Sequence, residues 1–113
     1  MSWTIDFYKT KSGRNPVKEF LDSLSSRQVA NIIEAMDLLK TFGLQLKEPY
    51  VKFVGDKLYE LRVKDPDGIY RILYFAASGK KFVVVHGFRK KTQKIPAKEL
   101  AIAKKRMKEY LNG

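Results

Sequence analysis

The sequence predicts an α+β domain: a small antiparallel β-sheet packed against an N-terminal helix pair, with a C-terminal helix. Three observations predict it. An apolar stripe at helical spacing between Val29 and Leu39 needs a surface to cover. Alternating apolar runs separated by Asp65-Pro66-Asp67-Gly68 and Ser78-Gly79-Lys80 make a three-strand meander. A second helical stripe opens at Pro96. At 113 residues the chain fits one domain, 1–113, with a single core, and no internal repeat, low-complexity run or linker divides it.

Trp3, Ile5 and Phe7 alternate with Thr4, Asp6 and Tyr8, the pattern of an opening strand with one buried face. Lys9 to Arg14 is a polar link. Asn15-Pro16 is a helix start, with Asn as N-cap and Pro in the first turn, and Val17, Phe20, Leu21 and Leu24 follow at helical spacing. Ser25 and Gln28 have the spacing of a capping box. The next helix carries Val29, Ile32, Ile33, Met36 and Leu39 on one stripe, and Gly43 is its expected stop. The two helices are expected to lie antiparallel.

A short strand is expected near Val51 to Val54, then strands over Leu58 to Lys64, Ile69 to Ala76 and Phe82 to Gly87. Pro66 presets φ in the first turn and Gly68 takes positive φ. In the last helix Leu100, Ala103, Met107 and Tyr110/Leu111 form the apolar stripe, and Lys98, Lys104, Lys105 and Lys108 fill much of the rest.

Composition excludes several classes. Without cysteine there are no disulfides or thiolate metal sites, and a single histidine rules out two-His zinc motifs. Metal-independent chemistry without a cofactor is expected. No apolar run is long enough to span a bilayer, since Ile69 to Ala77 is short and contains Arg71. No signal-peptide pattern follows Met1, so a soluble cytoplasmic protein with no membrane partner is expected. Charge is strongly skewed: from Lys80 onward there are 11 basic and 2 acidic residues, against 12 and 10 before it. Such a gradient favours a polyanionic partner.

Alternation sorts the strand side chains by face. Glu60 and Arg62 go with Leu58; Tyr59, Leu61 and Val63 take the other side. Arg71 goes with Ile69, Leu73 and Phe75, opposite Tyr70, Ile72 and Tyr74, and His86 goes with Phe82 and Val84. An arginine inside an apolar strand is costly unless it meets an anion. If Arg62 and Arg71 share a face, they form a basic concavity with Glu60 at its edge; the register that decides this is not local. Guanidinium groups suit phosphate bidentately and stabilise charge developing on its oxygens. His86, the sole imidazole, and Glu60 are the acid/base candidates. Arg89, Lys90, Lys91 and Lys94, read as a basic strand-to-helix loop, are candidate phosphate contacts, and Tyr59 and Tyr74 are candidate base-stacking rings. Each also has a structural reading: Arg62 paired with Glu60, Arg71 reaching solvent from an edge, His86 bonded to backbone, the tyrosines in the core.

Two segments then resemble a known family. Leu58-Tyr59-Glu60-Leu61-Arg62 with Gly68-Ile69-Tyr70-Arg71-Ile72-Leu73-Tyr74 is similar to the central hairpin of RelE/ParE-superfamily toxins. His86-Gly87-Phe88-Arg89-Lys90-Lys91-Thr92-Gln93-Lys94-Ile95-Pro96 resembles its phage-related HigB-like version, with Glu99 and Ala103 in the helix beyond. The resemblance implies a RelE-like fold and a type II toxin held inactive by a cognate antitoxin, often a helix-turn-helix protein. It implies a metal-independent endoribonuclease that cleaves mRNA on the ribosome and inhibits translation, the ribose 2′-hydroxyl attacking the adjacent phosphate. By position, Arg71 matches the family's catalytic or phosphate-binding arginine, Lys90 and Lys91 its basic residues after the last strand, and Arg62 a common arginine of the preceding strand. Two features depart from the pattern: Leu58 and Glu60 stand where lysines are frequent, and a long helix begins at Pro96 where a C-terminal Tyr or His is often found. The alternatives are a ParE-like toxin that inhibits DNA gyrase without nuclease activity, and a non-catalytic nucleic-acid-binding module.

Overall fold

A computed structural model describes residues 2–90 and 94–113. The strands are β1 (Thr4–Phe7), β2 (Val51–Gly55), β3 (Leu58–Asp65), β4 (Gly68–Ala77) and β5 (Lys81–Lys90). The helices are α1 (Pro16–Asp22), α2 (Ser26–Phe42) and α3 (Ala97–Asn112), with a 3-10 turn at Gly43–Gln45.

The five strands form one sheet in the order β1-β5-β4-β3-β2. The meander β3-β4-β5 and the β2 pairing are antiparallel, but β1 runs parallel to β5. The sheet is therefore mixed rather than purely antiparallel. The reason is the long crossover: α1, α2 and β2–β4 lie between β1 and β5, so nothing forces a hairpin.

Local chemistry starts the first two helices where the sequence suggests. The Asn15 side chain accepts from the Lys18 amide, and Ser25 and Gln28 form a reciprocal capping box. α1 packs on β5 and α2 on β3 and β1, so each helix rests chiefly on the sheet. Two glycines permit close approaches. A Cβ on Gly87 would lie 2.7 Å from the Phe20 ring, which α1 lays over β5. Gly43, at φ +58, would put a Cβ 2.3 Å from the Trp3 indole nitrogen.

The sheet has a core on each face. On the α1/α2 side Val17, Ile32, Met36 and Leu39 meet Leu61, Ile72, Phe82 and Val84. On the α3 side Leu58, Leu73, Phe75, Val83 and Val85 meet Ala103 and Met107. Leu111, expected in that stripe with Tyr110, is exposed instead, and Tyr110 alone of the two packs on the sheet, against Phe75.

Candidate functional site

Strand register assembles the site on the α3 face. Arg62 of β3 lies directly across from Arg71 of β4, and Glu60 is paired with Leu73 on one side and Lys52 on the other. Glu60 holds both arginines: its Oε1 accepts from Arg62 Nε at 2.7 Å, and its Oε2 accepts from Arg71 Nη1 at 2.6 Å. Glu60 and Arg71 are both 0% exposed, whereas the Arg62 side chain retains 18%. Arg71 thus does not reach solvent from an edge and presents no guanidinium to the surface. It anchors the carboxylate that orients Arg62. Such a buried triad is costly to desolvate and costly to break.

Arg62 opens into a cleft of about 300 Å³ between β2–β3 and the start of α3. Lys52, Glu60, Arg62 and Lys94 supply its charges, and Val54, Ile95 and Leu100 its apolar wall. The three cations around one buried carboxylate leave a surplus of positive charge at the mouth. That arrangement can bind an anion and stabilise negative charge developing on it.

His86 arrives on this face through a β-bulge. The register steps from Leu73↔His86 to Tyr74↔Val84, leaving Val85 without a partner of its own. The alternation that grouped His86 with Phe82 and Val84 is therefore broken, and the imidazole joins Val83, Val85 and Phe88 under α3. It lies in the same row as Glu60 with Leu73 between, about 10 Å away from strand spacing alone. Arg106 Nη1 donates to His86 Nδ1 at 3.2 Å and to the Val85 carbonyl at 2.9 Å. A guanidinium has no acceptor, so Nδ1 must accept, and the imidazole is the neutral Nε2–H tautomer donating to Glu99 at 2.7 Å. Burial, opposed by the Glu99 hydrogen bond and aided by the Arg106 charge, holds its pKa below the ordinary value. Both ring nitrogens are engaged inside the fold.

The remaining candidates separate. Arg89 is not in a loop: β5 continues through Lys90 because Ile69↔Lys90 and Tyr70↔Arg89 still pair. Arg89 points to the opposite face, its guanidinium 5.8 Å from the Tyr70 ring centre. Lys90 is exposed two residues beyond Phe88, and Lys94 lines the Arg62 cleft. Lys91 lies outside the described residues. Tyr59 and Tyr74 do not serve the cleft. They stack on each other at 5.6 Å on the α1/α2 face, inside a row Phe53–Tyr59–Tyr74–Phe82–Trp3 that crosses the sheet. Tyr74 is 2% exposed, and burial first, then Tyr59, raises its hydroxyl pKa far above the ordinary phenol value.

Lys52, Arg106 and Glu99's contact with His86 were missed as site features. Lys52 was legible as the outward residue of a short strand beside Glu60; the other two depend on where α3 docks. Among the described residues no cluster of His, Cys, Asp or Glu could hold a metal ion, and no helix is long and apolar enough to cross a membrane.

The mixed sheet, the helices beneath it and the arginine-bearing hairpin define a RelE-like fold. One solved structure with this fold is the crystal structure of the archaeal RelE-RelB complex from Pyrococcus horikoshii OT3, matched at TM-score 0.52 and 18% identity over 83% of this chain and 100% of that one. No curated protein matches the sequence. The chain belongs to the family described as "Phage derived protein Gp49-like (DUF891)", whose profile matches residues 19–108.

Proposed function

We propose that the chain is the toxin of a type II toxin–antitoxin system and acts as a metal-independent endoribonuclease on mRNA, associated with the ribosome. The observation that carries the reading is the Arg62 cleft, where Lys52, Arg62 and Lys94 surround a carboxylate already neutralised by the buried Arg71. Membership of the Gp49-like family and the RelE-like fold support it. In the reaction the ribose 2′-oxygen attacks the adjacent phosphorus, its proton passes to solvent or a base, and the 5′-oxygen leaves and is protonated. The products are a 2′,3′-cyclic phosphate and a 5′-hydroxyl. Arg62 and Lys94 stabilise the charge gathering on the phosphoryl oxygens. Arg71 is a positioning residue that holds Glu60 and, through it, Arg62.

An antitoxin is the expected partner, as RelB is for the RelE of the archaeal complex. A surface suited to a protein lies on the α2 side of the sheet: Phe42, Leu44, Tyr50 and Phe53 are each about half exposed, beside an apolar groove of about 490 Å³ between α2 and Pro49–Tyr50 that Arg62 also borders.

One observation favours a second reading. His86 and Glu60 both have their polar atoms committed to internal partners, so neither is poised as a general base. A ParE-like toxin acting on DNA gyrase needs none.

The test is induction of the wild-type chain and Arg62→Ala in a bacterial host, with 5′ ends of cellular RNA mapped. New cuts within translated messages, lost in the folded variant, support the nuclease. Growth arrest with intact RNA and inhibited supercoiling supports the gyrase reading. Neither arrest nor cuts leaves a nucleic-acid-binding module.

A further inference from the structure

α3 divides the basic surface in two. The Arg62 cleft lies at its N-terminal end. A second cleft, of about 1040 Å³, lies between its C-terminal half and the segment leaving β1. Lys9, Lys11, Lys105 and Arg106 line it, with the hydroxyls of Thr10 and Ser12.

The segment is built rather than loose. The Thr10 amide donates to the Arg14 carbonyl and the Gly13 amide to the Thr10 carbonyl, both at 2.9 Å, and the Arg14 amide donates to Thr10 Oγ1 at 3.0 Å. This closed turn holds Lys9 and Lys11 at the surface. The cleft's acid, Glu109, accepts a hydrogen bond from the Tyr8 hydroxyl. Arg106 is turned inward to Val85 and His86. Lys9, Lys11 and Lys105 are left to meet an outside anion, since among the described residues none of them pairs with a carboxylate. Lys104, one residue away, is held by Asp56 at 2.7 Å.

Along α3, Lys98, Lys105 of the second cleft and Lys108 are all exposed on one face, seven and three residues apart. They span about 15 Å of helix. Lysines interleaved with neutral hydroxyl donors suit phosphodiester oxygens. Tyr8, Ile102 and Tyr110 also line this cleft, but Tyr8 is buried and Ile102 and Tyr110 are only partly exposed, so the groups it presents most fully are the lysines.

We propose that the second cleft binds the phosphodiester backbone of an RNA strand that continues from the Arg62 cleft across α3. The inference rests on the RNA reading of the first cleft, and its test separates the two. The probes are 2′-O-methyl RNAs, which bind but cannot be cut, of about 20 and about 4 nucleotides. Lys9→Glu/Lys11→Glu/Lys105→Glu in the full chain is expected to weaken the long probe at least tenfold. It should lower the slope of log affinity against log salt by about 2, as loss of three phosphate contacts to a single strand requires. The short probe should bind unchanged. Lys40→Glu/Lys47→Glu/Lys64→Glu, with the same net charge change, should bind both as wild type does.

Wild-type affinity in the cleft variant, or equal losses in the control variant or with the short probe, would overturn the assignment. So would a polyglutamate peptide that binds the wild type as tightly as the long RNA and loses as much in the cleft variant, which would give the cleft to an acidic protein. If the wild type cuts no RNA but the length-dependent binding holds, the nuclease reading fails and the second cleft stands.

Discussion

Arg62 and Arg71 face each other across adjacent antiparallel strands, and one carboxylate, Glu60, lies between them and accepts from both. Like charges directly opposite in a sheet are destabilising. Here the repulsion is relieved by a buried anion, and the pair becomes asymmetric: Arg71 is sealed in and Arg62 is presented. That asymmetry separates positioning from binding at the cleft.

Removing one member of the triad should therefore unfold more than it disarms. Arg71→Ala leaves Glu60 buried with one partner fewer and is expected to cost about 3–5 kcal/mol. Urea denaturation measures it. The double variant Glu60→Leu/Arg71→Met, which removes both buried charges, should recover most of that loss. Arg62→Ala, at the partly exposed end, should cost less stability than Arg71→Ala while abolishing RNA cleavage.

His86 predicts a pH dependence of stability. Its folded pKa is below the ordinary 6.5, chiefly because of burial, so below that value the unfolded state takes up more protons. The stabilisation is complete above 6.5, is lost as pH falls through the folded pKa, and is flat below it. Thermal melts between pH 7.5 and 5 should show the fall, and His86→Gln should flatten that part of the profile. A profile unchanged by the substitution would assign the dependence to other groups.

The aromatic row makes Tyr74 a structural residue. Tyr74→Ala should destabilise by about 3–5 kcal/mol, as large aromatic truncations in cores do. Tyr59→Phe should leave RNA affinity within twofold, because its ring stacks on Tyr74 on the face away from the Arg62 cleft. Anisotropy with the non-cleavable RNA checks the second point.

Gly87 fixes how closely α1 approaches the sheet. Gly87→Ala should cost about 1–3 kcal/mol by pushing against Phe20. In Phe20→Ala the same substitution should cost markedly less, since the obstructing ring is gone. Chemical denaturation of the four members of that cycle gives the coupling directly.

Much of this protein is written locally. Asn15-Pro16, Ser25 with Gln28, Gly43 and Pro96 mark helix ends through capping and φ preferences that involve only neighbouring residues, and the structure uses all four. The strand faces of Glu60, Arg62 and Arg71 follow from a period of two, which needs no knowledge of the partner strand. Tertiary structure decided what period and capping cannot encode. Cross-strand register placed Arg62 opposite Arg71, and the meander's pairing set Glu60 between them. A single unpaired residue, Val85, reversed the alternation and carried His86 to the α3 face. The docking of α3 then engaged both of its nitrogens. The tyrosines look alike in sequence, and only the layering of helices over one face buried Tyr59 and Tyr74 there. The physical reason is that face and cap are set by the backbone within a few residues, whereas register, bulge and burial are set by hydrogen bonds and packing between segments far apart in the chain.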